Sequence, residues 1–283
     1  VQECSQPLLS ITVQDYITRK IKVWGTKPYT NNRDDVEYIL CDGEEHLLSS
    51  FLDYWIANFP DILTGWNVEL YDIPYICGRL ERLFGEKQMK QISPWGIVYR
   101  NDIEIKGRQQ IVYDVYGINV MDYMDLYKKF TYTNQESYRL DHIAFVELGQ
   151  KKLDHSEFEN FKQFYTNDWQ KFIDYNILDV ELVLRLEEKM KLIELAVALA
   201  YDAKVNIRDV YFQVRMWDTI IYNFLKDKGI VVPPAKRSSK DEKYEGAYVK
   251  EPKPGRYNWV VSFDLNSLYP HLIMQYNISP ETL

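Results

Sequence analysis

The sequence predicts an α/β fold, a mixed sheet with flanking helices, followed by a second and smaller unit. Three observations lead there. Apolar residues alternate in the opening stretches Leu8–Val13 and Ile21–Trp24, then recur at three- and four-residue spacing between Glu44 and Asn58. Strand-like and helix-like stretches keep interleaving after that, as in a sheet covered by helices. Finally, the stretch Val232 to Lys243 gathers Pro-Pro, Ser-Ser and six charged residues, the composition of a boundary.

Taken in order, Leu8–Val13 and Ile21–Trp24 read as antiparallel strands joined through a polar turn, and Val36–Leu40 as a third strand. Leu47, Leu48, Phe51, Leu52 and Trp55 mark the buried face of the first helix. Ile62–Trp66 is a short buried strand and Ile73–Phe84 a helix after it. Two alternating runs, Ile97–Ile105 and Gln109–Tyr116, flank the turn signal Lys106-Gly107 and predict a hairpin. Helices follow at Asp122–Phe130 and Leu140–Leu148. Asn167 or Asp168 can cap a long helix reaching Leu199, and Asp209–Lys228 is the last strong helical pattern. Beyond the boundary, Val260, Val261 and Phe263 read as a buried strand, and Pro270 suits the first turn of a helix, where its missing N–H costs nothing.

The 283 residues are 46% hydrophobic, enough for one large or two modest cores. No stretch approaches the apolar length of a membrane span, and no membrane partner is expected. Val1 is not an initiator Met, and no apolar leader precedes a cleavage site. Cys4, Cys41 and Cys77 are widely spaced and form no CxxC, as in a reduced cytoplasmic protein. The four His show no zinc-ligand spacing. The net charge of −8 argues against coating a polyanion with the whole surface, but residues 226–256 hold nine Lys and Arg against five Asp and Glu. That basic strip could track a phosphate backbone or form a solvated linker; charge alone leaves both open.

Chemistry is carried by acids at element ends. Asp264 sits where the predicted strand stops, ahead of a turn of free backbone N–H groups, a setting that holds a cation and a polyphosphate together. Asp72 lies between a strand and a helix in Trp66-Asn67-Val68-Glu69-Leu70-Tyr71-Asp72-Ile73-Pro74. Either Asp can instead cap its turn. Tyr175 and Asp179 are four apart on the long helix and share a face, where a semi-buried carboxylate needs a cation or a donor.

The string Ser262 to Ile273, extended by Asn277 to Leu283, resembles the first palm motif of family B DNA polymerases, in particular their T-even-like bacteriophage branch. Trp66–Pro74 is similar to the second exonuclease motif of that family and Tyr175–Asp179 to its third, in the family's order. The resemblance implies an RNase H-like 3′→5′ exonuclease domain over residues 1–192, a helical connection over 193–234, and the N-terminal part of an α+β palm over 235–283. It implies two Mg²⁺ or Mn²⁺ ions per site in the intact enzyme. Asp179 would ligate the ion that generates the nucleophile, Tyr175 would position the attacking water, and Asp72 would serve the second ion. Asp264 and the Leu265 carbonyl would hold the polymerase ions, with Ser267 and Leu268 N–H groups on the triphosphate and the Tyr269 ring as steric gate. Asn67, Tyr244, Gly246 and Ala247 would meet DNA, Ala247 standing where the family usually has a second Gly.

The family's first exonuclease motif, Asp-x-Glu, is expected upstream of Val1, with Glu3 its second member only if Val1 replaced the Asp. Asp102-Ile103-Glu104 fits the letters but follows Asp72 within the predicted hairpin, and is read as a strand with outward acids. The sheet should therefore lack its first strand, and the chain alone should have little or no exonuclease activity. Polymerisation needs further motifs beyond Leu283. Expected partners are primer-template DNA, single-stranded 3′ ends and dNTPs, with a sliding clamp for the intact protein. A free-standing nuclease of the same sheet type, or a non-catalytic DNA-binding module, are the alternatives.

Overall fold

A computed structural model describes residues 4–105, 107–150, 161–232, 246–279 and 282, so Glu3 and Tyr244 lie outside the described residues. The chain divides into two compact units, Val1–Val232 and Pro233–Leu283.

In the first unit, β1 (Ser10–Gln14) and β2 (Ile21–Gly25) pair antiparallel, with Ile11 opposite Trp24. Their turn is held locally: the Asp15 carboxylate accepts the Thr18 N–H and hydroxyl at 2.6 and 2.7 Å, bonds that keep its pKa below the ordinary value. β3 (Val36–Leu40) runs parallel to β2. α1 (Gly43–Ala57) buries the five residues its periodicity selects. The Trp24 indole donates to Ser50 Oγ at 3.0 Å, and that of Trp55 to the Ile92 carbonyl at 2.8 Å, so neither polar handle is stranded.

β4 (Ile62–Gly65) leads through a loop to α2 (Asp72–Phe84), whose buried Arg79 donates to Glu44 of α1 and to the Cys4 carbonyl. The short α3 (Glu86–Met89) and a 3₁₀ turn, Lys90–Ile92, precede the hairpin of β5 (Val98–Ile105) and β6 (Arg108–Val115). Asp102 and Glu104 stand exposed on β5. β7 (Asn119–Asp122) pairs parallel with β4. This strand was not expected: four residues give too short a period, and its partner is far away in sequence.

The helices that follow are α4 (Tyr123–Phe130), α5 (Leu140–Leu148), α6 (Phe161–Asn167) and α7 (Trp169–Met190). Asp168 caps α7, accepting the Lys171 N–H at 2.9 Å. The helix expected to continue to Leu199 breaks instead at Lys191, whose φ is +54°, and α8 (Leu192–Ala203) begins. Glu187, only 4% exposed, accepts the Ile193 and Glu194 N–H groups and so supplies the cap for α8 from the preceding turn. A 3₁₀ turn, Ile207–Tyr211, occupies the start of the last predicted helix, which is α9 (Gln213–Asp227).

The two sheet pieces are β1-β2-β3 and β4-β7. Among the described residues the second edge of β1 and the second edge of β4 carry no strand. Ile11, Trp24, α1, α2 and the hairpin share one apolar cluster, α4, α5, α7 and α8 another, and β2 with α6 and the start of α7 a third.

Within the second unit, α10 (Leu268–Tyr276) forms where Pro270 suits its first turn. The strand expected just before it does not. Val260, Val261 and Phe263 lie outside any strand, and Phe263 is 91% exposed. A strand exists only as a paired ladder, and no described residue pairs with this segment.

Candidate metal centre

The loop from β4 to α2 is built to hold a fixed shape. Asn67 takes a left-handed φ of +65°, which Asn tolerates better than most residues. The Tyr71 N–H donates to the Asn67 carbonyl and the Ile73 N–H to that of Val68, both at 3.0 Å. A buried anchor completes it. Asp122, 1% exposed at the end of β7, accepts the Asn67 N–H at 3.0 Å, the Glu69 N–H at 3.2 Å and the Met124 N–H at 3.0 Å. One carboxylate thus ties the loop to β7 and caps α4. The sequence missed this role because β7 itself was missed; its only signal was an acid after the apolar pair Val120-Met121.

The loop delivers Asp72 as the first residue of α2, where Tyr71, not Asp72, is the capping position. Asp72 is exposed, yet its carboxyl is pushed up to about 7. Desolvation by surrounding protein is the main cause, with like charge from Asp122 and Asp179 adding to it. Three acids from α2, the end of β7 and α7 therefore share one neighbourhood. Crowded carboxylates at an open surface are stabilised by a cation, and an all-oxygen donor set suits Mg²⁺ or Mn²⁺. They do not form a closed cage: among the described residues no three His, Cys, Asp or Glu converge to ligand distance.

Asp179 and Tyr175 lie half-buried on α7, and the Tyr175 ring packs edge-on to Phe161 and Phe164 at 6.3 and 6.0 Å. That cluster holds the ring in place. The structure brings Asn67, Asp72 and Asp179 to one region, while Asp102 and Glu104 stand on the exposed hairpin.

Asp264 and Leu265 are exposed in the stretch before α10. Ser267 is the helix N-cap, with a left-handed φ of +51°, and its carbonyl accepts the His271 N–H at 3.0 Å. Leu268 and Tyr269 open the helix, so their N–H groups have no intrahelical acceptor and can face an anion. Gly246 and Ala247 are exposed and outside any helix or strand.

The model for DNA polymerase family B, exonuclease domain, matches residues 6–143, and that for DNA polymerase family B matches residues 207–283. Over 88% of its length the chain is 44% identical to the DNA-directed DNA polymerase of Escherichia phage RB69, and over 88% it is 39% identical to that of Enterobacteria phage T4. The chain belongs to DNA polymerase family B. A DNA polymerase of Paramecium bursaria Chlorella virus NY2A, 28% identical over 90% of the chain, extends the likeness beyond phages. The chain spans 27%, 28% and 30% of the lengths of these three relatives. Both family matches reach into the first unit, since the second of them begins within the 3₁₀ turn before α9. Among the described residues no helix is long and apolar enough to cross a membrane.

Proposed function

We propose that this chain provides the 3′→5′ proofreading exonuclease domain and the opening of the palm of a DNA-directed DNA polymerase. The observation that carries the reading is the electrostatic convergence of Asp72 and Asp179, the second- and third-motif acids, from elements far apart in the chain. The proposed boundaries are residues 1–192 for an RNase H-like nuclease domain, 193–234 for a helical connection and 235–283 for the palm. The division of the chain at Pro233 supports the last of them.

Divalent ions would supply a water of lowered pKa and neutralise charge on the scissile phosphate. This chain's residues would do the rest. Asp179 and Asp72 present the oxygens that hold the ions. Tyr175, braced by Phe161 and Phe164, orients a water through its hydroxyl. Asn67, fixed by Asp122, meets the terminal nucleotide of a single-stranded 3′ end. The Asp-x-Glu pair that this reading expects would complete the ion site.

In the palm segment, Asp264 and the Leu265 carbonyl would hold the polymerase ions, and Ser267 and Leu268 N–H groups the triphosphate of a dNTP. The Tyr269 ring would exclude a 2′-hydroxyl, and Tyr244, Gly246 and Ala247 would track primer-template DNA. A sliding clamp and a host-cell cytoplasmic setting belong to the same reading of the intact polymerase.

Titration calorimetry with Mn²⁺ on the chain and on its Asp72→Ala and Asp179→Ala variants tests the nuclease half. Weak binding lost in both variants is the expected result. Equal binding by all three forms would refute it. Rapid Mn²⁺-dependent digestion of single-stranded DNA would contradict the expectation that this chain alone trims little.

A further inference from the structure

The 3₁₀ turn Ile207–Tyr211 carries no motif, yet it reaches back to the loop that delivers Asp72 and to the β5–β6 hairpin. Arg208 donates Nη1 to Asp114 Oδ1 at 2.6 Å and Nη2 to Glu69 Oε1 at 2.8 Å. Asp114 lies on β6 of the hairpin; Glu69 lies in the loop that delivers Asp72. Glu69 also gives its own N–H to Asp122, whose carbonyl accepts the Tyr211 hydroxyl at 3.3 Å. A single planar guanidinium therefore joins hairpin, loop and connecting turn. Its fork geometry suits that task in a way an ammonium's does not.

The setting makes the pair of bonds more than surface decoration. The Arg208, Glu69 and Asp114 side chains are 40%, 26% and 31% exposed, so water screens them only in part. Burial, together with Asp122, Asp125 and Asp114, raises the Glu69 pKa, and Arg208 is the group that opposes the rise. Without the guanidinium, Glu69 and Asp114 lose the positive charge that bridges them, and Asp114 keeps the Asn101 amide at 2.7 Å.

We propose that Arg208 is a positioning residue for the loop Asn67–Asp72, locking that loop and the β5–β6 hairpin to the segment that opens the polymerase-family match. The proposal rests on the reading of Asp72 and Asp179 as ion ligands. Partners one step removed from a metal ligand commonly change ion affinity about 10- to 100-fold when removed. Arg208 acts through Glu69 and the loop backbone, so the lower end of that range applies.

The test compares Arg208→Met and Arg208→Lys in the full chain by Mn²⁺ calorimetry and amide hydrogen exchange. For Arg208→Met, Mn²⁺ affinity should fall about 10-fold, and exchange should quicken at Asn67–Asp72 and around Asp114. Arg208→Lys, able to reach one carboxylate at a time, should recover part of both effects. Wild-type affinity and exchange in Arg208→Met would overturn the proposal, as would a loss that Arg208→Lys does not recover at all. Equal Mn²⁺ binding by wild type and Asp72→Ala would instead refute the ion-site reading. Exchange at Asn67–Asp72 would then still decide whether Arg208 holds the loop.

Discussion

Asp72 and Asp264 open equivalent pieces of sequence, an acid ahead of a helix, and meet opposite fates in the structure. Asp72 sits on a loop tied down by Asp122 and Arg208, and its carboxyl responds to acids on two other elements. Asp264 stands exposed in a segment where α10 buries none of its residues. The difference teaches that a motif's helix turn is a local product, written in Ser267 and Pro270, whereas its electrostatics are not. Those require partners from elsewhere in the chain, which the first unit supplies to Asp72.

The sharpest way to break the contrast is through packing. Leu126→Ala, at a fully buried site in the first unit, should cost about 3 kcal/mol. Ile273→Ala on α10, where the side chain is 49% exposed, should change stability by less than about 0.5 kcal/mol. Urea unfolding followed by circular dichroism would measure both. A similar loss at the two positions would erase the distinction between the units.

Next in size is the anchor. Asp122→Ala strands three N–H groups, of Asn67, Glu69 and Met124, and should destabilise the first unit by about 2–3 kcal/mol. For a unit of this size that lowers Tm by roughly 4–12 °C, readable by calorimetry. Asp122→Asn keeps one acceptor and should lose less.

Smaller, and opposite in sign, is the effect of the site acid itself. The Asp72 pKa is raised, so folding favours its protonated form: that contribution is whole at pH below 3.8 and is lost as pH climbs toward about 7. Asp72→Asn should therefore match wild type near pH 3.5 and become more stable than wild type by pH 7. Solvent access at Asp72 limits the gain to about 1 kcal/mol, or roughly 2–4 °C in Tm. Mn²⁺ should raise the Tm of wild type and not that of the variant. The smallest effect belongs to Asp264→Ala, which should leave the first unit's Tm within about 1 °C of wild type.

The same contrast explains how much was legible beforehand. α1, the pairing of β5 with β6 on either side of Gly107 and the Asp168 cap are written in neighbouring residues, and each appears where its signal lies. The break between α7 and α8 was not readable: the apolar period continues through Leu192 and Ala196, and the cap comes from the Glu187 side chain. β7 escaped because its ladder partner β4 lies on the far side of α2 and the hairpin. Val260, Val261 and Phe263 have strand composition, but composition without a pairing partner makes no strand. At the site, Asp72, Tyr175 and Asp179 were visible as motif letters, while Asp122 and Arg208 act through contacts that no spacing encodes.

The central claim is that Asp72, Asp122 and Asp179 converge on one patch of charge. A carboxyl ¹³C NMR titration of Asp72, in wild type and in Asp179→Asn, addresses it most directly. The account predicts an Asp72 pKa well above 3.8, near 7, that falls when Asp179 is neutralised. An ordinary carboxylate value, unmoved by the substitution, would contradict it.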